Sequence, residues 1–399
     1  MKANLFKLAG VLLGLALFPA ARGDNTTDIG PINVTGPHFG MNPVPVALTG
    51  FSGTGLEVLK FDLYVQGFSF VAPSEAKYII SGSDSGTVSG TVTDTVTHRV
   101  LLSQGFNGGN PRHQAHAFAD AAVQAMTGKP GIAQIRGGIA KIAFKAQESD
   151  GSGEIYIADF DGYNPVPITA DHAIVAKPTW QAGHMGIYYT SYKAGNPDIY
   201  LRNLASVDCY RVAGLPCLNT SAASSPGGDL LAYVCGRTGR PNIWISSATG
   251  AGPRHLTTGS EDSSPCWSPD GQYLCYATKQ REHRCLAKIS VSGGAPEYLL
   301  TTGTPSPSEP DWSPDGKWIA YTSQSGGGFQ ICVIAVDGSV RPQILVDGQN
   351  PSWAPNSRTL IFNRGPEGRQ ALSVLDVFTK QYKDCHRASG SCSQPAWAK

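Results

Sequence analysis

Two apolar patterns recur along the last two thirds of the chain. One is a strand led by a tryptophan and a tight turn, as in "PDWSPDGKWIAYTS" from Pro310. It returns as "PTWQAGHMGIYYTS" from Pro178, "PCWSPDGQYLCYAT" from Pro265 and "PSWAPNSRTLIFNR" from Pro351. A worn copy, "AASSPGGDLLAYVC", starts at Ala222, and the chain ends on "PAWAK". The leading positions Trp180, Ser224, Trp267, Trp312, Trp353 and Trp397 lie 44, 43, 45, 41 and 44 residues apart. The other pattern is an alternating strand ending in a turn. It begins at Ile155, Ile199, Ile243, Leu286, Ile331 and Leu372, with spacings of 44, 44, 43, 45 and 41. Alternation gives one face of each strand to each neighbouring sheet. Two motifs in step on a period of about 40–50 residues, with strands only, predict a β-propeller.

The turn chemistry agrees. In "SPDG", proline presets φ at the second turn position, aspartate tolerates the third and glycine takes the last. The tryptophan is placed to fill the wedge between adjacent sheets, with its ring N–H needing one partner. Five Trp-led units run from residue 180 to residue 396, and the sixth Trp-led strand, at 395–398, has no sequel. "KIAFKAQ" (141–147), "EIYIADFDG" and "PVPIT" have no Trp-led strand before them. One end supplies what the other lacks. The expectation is an all-β six-bladed β-propeller over 137–399, its last sheet completed by the N- and C-terminal strands of the propeller. Such a shared blade clasps the ring, because separating its pieces exposes two strand edges.

Residues 24–136 lack the repeat. "NPVPVALTGF" predicts a strand near 44–50, and "GTGLEVLKFDLYVQG" a helix with Val58, Leu56, Leu59 and Leu63 on one stripe. "KYIISGSDSG" and the stretch after it read as a strand and a hairpin. "NPRHQAHAFADAAVQAMTG" is the clearest helix: Ala115, Phe118, Ala119, Ala122 and Met126 share a face, Asn110 precedes Pro111 and Gly128 follows. The order β-α-β-β-α predicts an α/β N-terminal domain with helices over a mixed sheet.

The chain opens on "MKANLFKLAGVLLGLALFPAARG", two lysines before an apolar run and then a small-x-small site. Residues 1–23 read as a secretory signal peptide, with the mature protein starting near Asp24. The apolar run is shorter than the roughly 20 residues a membrane anchor needs. The formal charge is +1; without the first 23 residues, 28 basic residues face 30 acidic ones. That balance gives no electrostatic case for nucleic acid or an anionic membrane. The expected product is periplasmic, monomeric and not membrane-inserted.

All nine cysteines follow residue 208. Export permits disulfides, and Cys209–Cys217 and Cys385–Cys392 are close enough in sequence to close small loops. The odd number leaves at least one thiol unpaired within the chain.

No nucleophile, base and acid come together in the sequence. His113 and His116 are three apart on the second helix, but without an acidic third ligand beyond Asp120 they read as a solvated first turn rather than a metal site. "GSDSG" at 82–86 reads as a hairpin turn, and "GTG" at 53–55 lacks the rest of a dinucleotide fingerprint. Asp161, Asp270, Asp315 and Asp337 read as turn aspartates. No catalytic residue, metal or cofactor is expected. The surface that remains is the mouth of the central channel, where loops entering the innermost strands place one residue per blade: Lys177, Ser221, Ser264, Glu309, Asn350 and Gln394. They suit a shaped protein or peptide partner. The competing expectation is a propeller enzyme, a hydrolase or metal-dependent lactonase acting in the channel. It requires an acidic cluster there, and only Glu309 of the six is acidic.

"VLKFDLYVQGFSFVAP", "RHQAHAFADAAVQAMTGKPGIAQ", "IADFDGYNPVPIT" and the "WSPDG" units, in this order, make the chain resemble the TolB family of the Tol-Pal system over nearly its whole mature length. The resemblance implies a non-enzymatic periplasmic binding protein that supports outer-membrane integrity and cell division. The propeller mouth would dock the peptidoglycan-associated lipoprotein Pal, and the N-terminal segment would engage TolA; other outer-membrane proteins are further partners it allows. It places Pal-facing loops at Leu218–Ser221 and Ser263–Ser264, with Glu309 as an equivalent. Where the family carries a histidine and an acid, this chain has Leu218 and Ser264. In the N-terminal segment the TolA-facing residues would be Asp24, Thr27, Asp28, Ile29, Ile32 and Val34. Gly30 and Pro31 interrupt that strand, so pairing by strand addition would use only part of it.

Overall fold

The computed structural model describes residues 39–135, 138–147, 151–386 and 390–399. Residues 1–38 lie outside it, and with them the expected signal peptide and the six N-terminal partner residues. No described helix is long and apolar enough to cross a membrane.

The first part is a five-stranded mixed sheet carrying two helices. Its strands are β1 (Val44–Thr49), β2 (Phe68–Phe70), β3 (Tyr78–Ser83), β4 (Val88–Asp94) and β5 (Val100–Phe106), in spatial order β2-β1-β3-β4-β5. β1 runs parallel to both its neighbours, and the remaining pairs are antiparallel. Helix α1 (Gly53–Tyr64) buries Val58, Leu59 and Leu63. Helix α2 (Pro111–Thr127) buries Ala115, Phe118, Ala119 and Ala122 against the same core. Its boundaries are those its sequence predicts. The Asn110 side chain accepts from the His113 N–H, Pro111 takes the first turn, and Gly128 closes the helix at φ +72°. The three-residue β2 is too short to show an alternation and is absent from the sequence order. A boundary at 136–137 falls outside the described residues; α2 ends at Thr127 and the first propeller strand starts at Lys141.

Among the described residues, six four-stranded antiparallel sheets follow. We number the blades by their innermost strands: I, Val175–Trp180; II, Asn219–Ser224; III, Ser260–Trp267; IV, Pro307–Trp312; V, Gln349–Trp353; VI, Ser391–Trp397. Blade VI joins the C-terminal strand to Lys141–Gln147, Gly153–Asp159 and Val166–Pro167, so the two ends of the propeller close the ring as the repeat count predicts.

Apolar clusters fill the seams between blades. The tryptophans tie these seams. Trp180 Nε1 donates to the Ala396 carbonyl, Trp267 Nε1 to Ala223 and Trp353 Nε1 to Asp311, each on the preceding blade's inner strand. Trp312 Nε1 turns instead to Gly316 in its own turn. In blade II, Ser224 stands in the tryptophan position and its hydroxyl accepts from the Ala182 N–H at 3.2 Å.

Candidate functional site

Each inner strand presents one edge to the axis and breaks register once, except that of blade III, which breaks twice and holds Glu261 left-handed (φ 58°) at the first break. At the break three residues before the Trp position, every blade holds one non-glycine residue in the left-handed region: Lys177 (φ 51°), Ser221 (54°), Ser264 (50°), Glu309 (53°), Asn350 (56°) and Gln394 (54°). Proline follows in every blade but II, where Ala222 stands. Proline removes an N–H from an edge that has no strand beside it, which suits it to a strand rim. A left-handed side chain is locally unfavourable, by about 1–3 kcal/mol each, and persists where surrounding structure dictates it. Here the bulge turns six side chains into one ring.

The six residues the sequence assigns to the mouth are thus brought together, but not in loops: all lie inside the innermost strands. They form the floor of an axial cavity of about 400 Å³. The cavity takes each inner strand from its left-handed residue onward, toward the turn into the second strand, with Trp180, Trp267, Trp312 and Trp353 and the adjacent prolines in its walls. It therefore lies beyond the floor from the loops that enter the inner strands.

The floor is cross-braced. Lys177 Nζ reaches across the axis to Glu309 Oε1 of the opposite blade at 2.7 Å and to Asn350 Oδ1 at 2.8 Å. The Lys177 N–H donates to Gln394 Oε1 at 2.8 Å. Thr322 Oγ1 donates to Glu309 Oε2 and accepts from the Asn350 N–H, both at 2.9 Å. Asn363 Oδ1 accepts from Asn350 Nδ2 and from the Gln394 N–H. Burial raises the Glu309 pKa, but the Lys177 charge and the hydrogen bonds outweigh it and hold the carboxyl below its ordinary value. Blades II and III contribute only Ser221 and Ser264, so the floor is ionic on one side and small on the other. Substituting Lys177→Met should remove two charge-assisted bonds and lower stability by about 1.5–3 kcal/mol. The loss should shrink as pH falls through the Glu309 titration, because a depressed carboxyl stabilises above its ordinary pKa and not below its folded one. Urea unfolding of both proteins at neutral and acid pH measures it.

Two further expected residues are placed elsewhere. Leu218 precedes the blade II inner strand and packs partly buried at the seam with blade III. Ser263 Oγ accepts from Arg284 Nη2 at 3.0 Å rather than facing the cavity. A rim pair escaped the sequence reading: Lys399 Nζ donates to both Asp311 carboxylate oxygens at 2.8 Å, and Asp311 Oδ2 also accepts the Trp353 N–H. Nothing in "EPDW" marks that aspartate apart from the turn acids.

A second polar cluster joins the helices to blade VI, and it corrects two readings. His113 is exposed, but His116 is fully buried. Its Nδ1 lies 2.7 Å from Asp62 Oδ2 of α1 and its Nε2 3.3 Å from Asp161 Oδ2. Asp161, read as a turn residue alone, also pairs with Arg112. The Arg112 guanidinium sits 3.4 Å from the centroid of the Tyr163 ring. Burial disfavours charged His116, but the two carboxylates outweigh it and push its pKa up to about 10. Asp161 is held below its ordinary value: burial opposes this, and His116 and Arg112 prevail. "DFDGYN" supplies the propeller's half of this junction. Its Gly162, at φ +89°, admits no side chain, because a Cβ would strike the His386 carbonyl.

Among the described residues, no group of three or more His, Cys, Asp or Glu is placed to hold a metal ion. A family described as the TolB beta propeller domain matches residues 123–399. The chain is 32% identical over 161 residues to the Tol-Pal system protein TolB of Desulfosudis oleivorans, an alignment covering 40% of this chain and about a third (35%) of that protein. It is 27% identical over 301 residues to the Tol-Pal system protein TolB of Anaeromyxobacter dehalogenans strain 2CP-1, covering 65% of this chain and 67% of the relative. The crystal structure of TolB from Acinetobacter baumannii superposes with a TM-score of 0.80 at 20% identity, over 90% of this chain and 98% of that one. An α/β sheet followed by a six-bladed ring is the fold they share. On this match, which spans more than half of its length, the chain belongs to the TolB β-propeller family.

Proposed function

We propose that the chain is an exported, non-enzymatic binding protein of the Tol-Pal system. It docks Pal on the axial face of the propeller and TolA through residues 24–36, and so supports outer-membrane integrity and cell division. The observation that carries the docking site is the ring of six left-handed side chains around one cavity. A fold that holds six unfavourable backbone conformations at equivalent positions presents a shaped surface there. Its floor carries one braced ion pair rather than an open acidic cluster, which favours a protein or peptide partner over a metal-dependent reaction. Polar, unanchored composition in residues 24–36 supports a second, separate surface, and two partners on one chain allow reciprocal coupling.

The test is recovery of partners from the cell envelope on the immobilised mature chain. Pal and TolA are expected with the wild type. Glu309→Ala and Asn350→Ala should each weaken Pal at least tenfold, as central interface residues do, and leave TolA bound. Deleting residues 24–36 should abolish TolA and spare most Pal. Unchanged Pal binding in both ring variants, or loss of both partners from a folded deletion variant, overturns the two-surface reading.

A further inference from the structure

We infer that Cys217 and Cys235 form a disulfide site that staples blade II. Their sulfurs stand 3.7 Å apart, in contact and unbonded. Cys217 lies in the turn leading into the inner strand, and Cys235 ends the second strand, where it is fully buried. The backbone around both is already fixed. Asn219 Nδ2 donates to the Leu215 and Cys217 carbonyls, each at 2.9 Å, and Gly236 N donates to the Leu218 carbonyl at 2.9 Å. Closing the bond from such a contact needs side-chain rotation rather than a rebuilt backbone.

The position has a physical sense. Cys217 and Cys235 belong to the apolar cluster at the seam of blades I and II. That seam lacks the tryptophan wedge, with Ser224 in its place, and blade II alone lacks the inner-strand proline, with Ala222 instead. The staple would tie the approach to the least supported inner strand to the strand beside it. The other neighbouring pairs differ. Cys266 and Cys275 face each other across two strands but are both buried. Cys209 Sγ contacts the Tyr189 hydroxyl at 3.4 Å and Lys193 Nζ at 3.6 Å, and Cys217 contacts Cys235 instead of closing a loop to it.

The oxidant is a disulfide donor of the exported compartment, so formation in cells rests on the export reading above. The half-exposed Cys217 thiolate attacks one donor sulfur and expels the other as a thiolate. Cys235 then attacks the Cys217 sulfur and expels the second donor thiol. One S–S bond forms, two thiol protons leave, and the donor disulfide is reduced to two thiols. Burial pushes the Cys235 thiol up to about 11, so the second step is the slow one and should quicken as pH rises.

The mature chain, purified reduced, is treated with oxidised glutathione, alkylated and digested. A peptide linking 217 to 235 is expected, with Cys266 and Cys275 alkylated only after denaturation. The oxidised protein should melt several degrees above the reduced one, and Cys217→Ser should show neither the link nor the rise. A 209–217 link in its place, or a freely alkylated Cys217 after treatment, overturns the assignment. The same digest on protein taken directly from cells separates the two readings. A link present in glutathione but absent from cells refutes export into an oxidising compartment and leaves the pairing established.

Discussion

Replacing Asp161 with alanine should remove about 3–5 kcal/mol of stability, the effect of leaving a buried charge without its partner. In the native protein Asp161 is almost fully buried and faces both Arg112 and His116. Take the carboxylate away, and Arg112 loses its ion-pair partner while fully buried His116 keeps only Asp62. The apolar part of the junction stacks Phe160 on Trp397 and sets Phe61 and His116 edge-on to Phe160. The helices should therefore loosen from blade VI before the ring itself opens. Urea unfolding should show a lower midpoint, and a broadened or two-step transition if the α/β part separates first. A loss under 1 kcal/mol would mean that the cluster is solvated and not the clamp described above.

The same cluster fixes a pH dependence. His116 titrates near 6.5 in the unfolded chain and at about 10 in the folded one. A raised pKa stabilises fully below the unfolded value and is lost as pH climbs through the folded value. Between pH 7 and 9 stability should fall by up to about 1.4 kcal/mol per pH unit. Asp120, which burial pushes up to about 7, overlaps the lower end of that window, so the His116 share is read as the difference in slope between wild type and a His116 variant. His116→Gln should flatten the slope. Asp161→Ala should reduce it, since one of the two carboxylates holding the proton is gone.

What the sequence could show follows from the range of the physics involved. Strand, turn and wedge all lie within one repeat, so a period of about 44 residues exposed blade number and the closing blade together. The ring residues were legible for the same reason: each stands at a fixed place before its Trp position. Their left-handed backbone was not, because it is imposed by the axial edge and not by the residue itself. Nor was the brace, in which Lys177 meets Glu309 across 132 residues of chain. His116 was misread because its helix face looked polar; only docking against Phe160 and Asp161 makes that face interior. Proximity along the chain did not find the Cys217 contact: Cys209 is nearer in sequence, but the turn into the blade II inner strand sets Cys217 beside Cys235.

Trp353→Ala should cost about 3–5 kcal/mol, the range for emptying a large aromatic from a tight core. Trp353 is 1% exposed and sits among Trp318, Leu360, Phe362 and Leu375 at the seam of blades IV and V. Its removal leaves a cavity and also strands the Asp311 carbonyl that accepted its ring N–H at 3.1 Å. Stability of a closed ring depends on every seam, so a gap at one should lower the melting of the whole propeller and not of one blade. Position along the ring should grade the effect. Trp180 is only partly buried, so Trp180→Ala should be milder. Trp353→Phe should recover most of the apolar contribution while still leaving the carbonyl without its donor, so it should fall between wild type and alanine. Blade II gives the natural reference: it already lives with Ser224 at this position, and its seam holds with Tyr188, Tyr233, Trp244 and a cysteine pair. If Trp353→Ala melted no lower than Trp180→Ala, the wedge would be a filler and not a tie between blades.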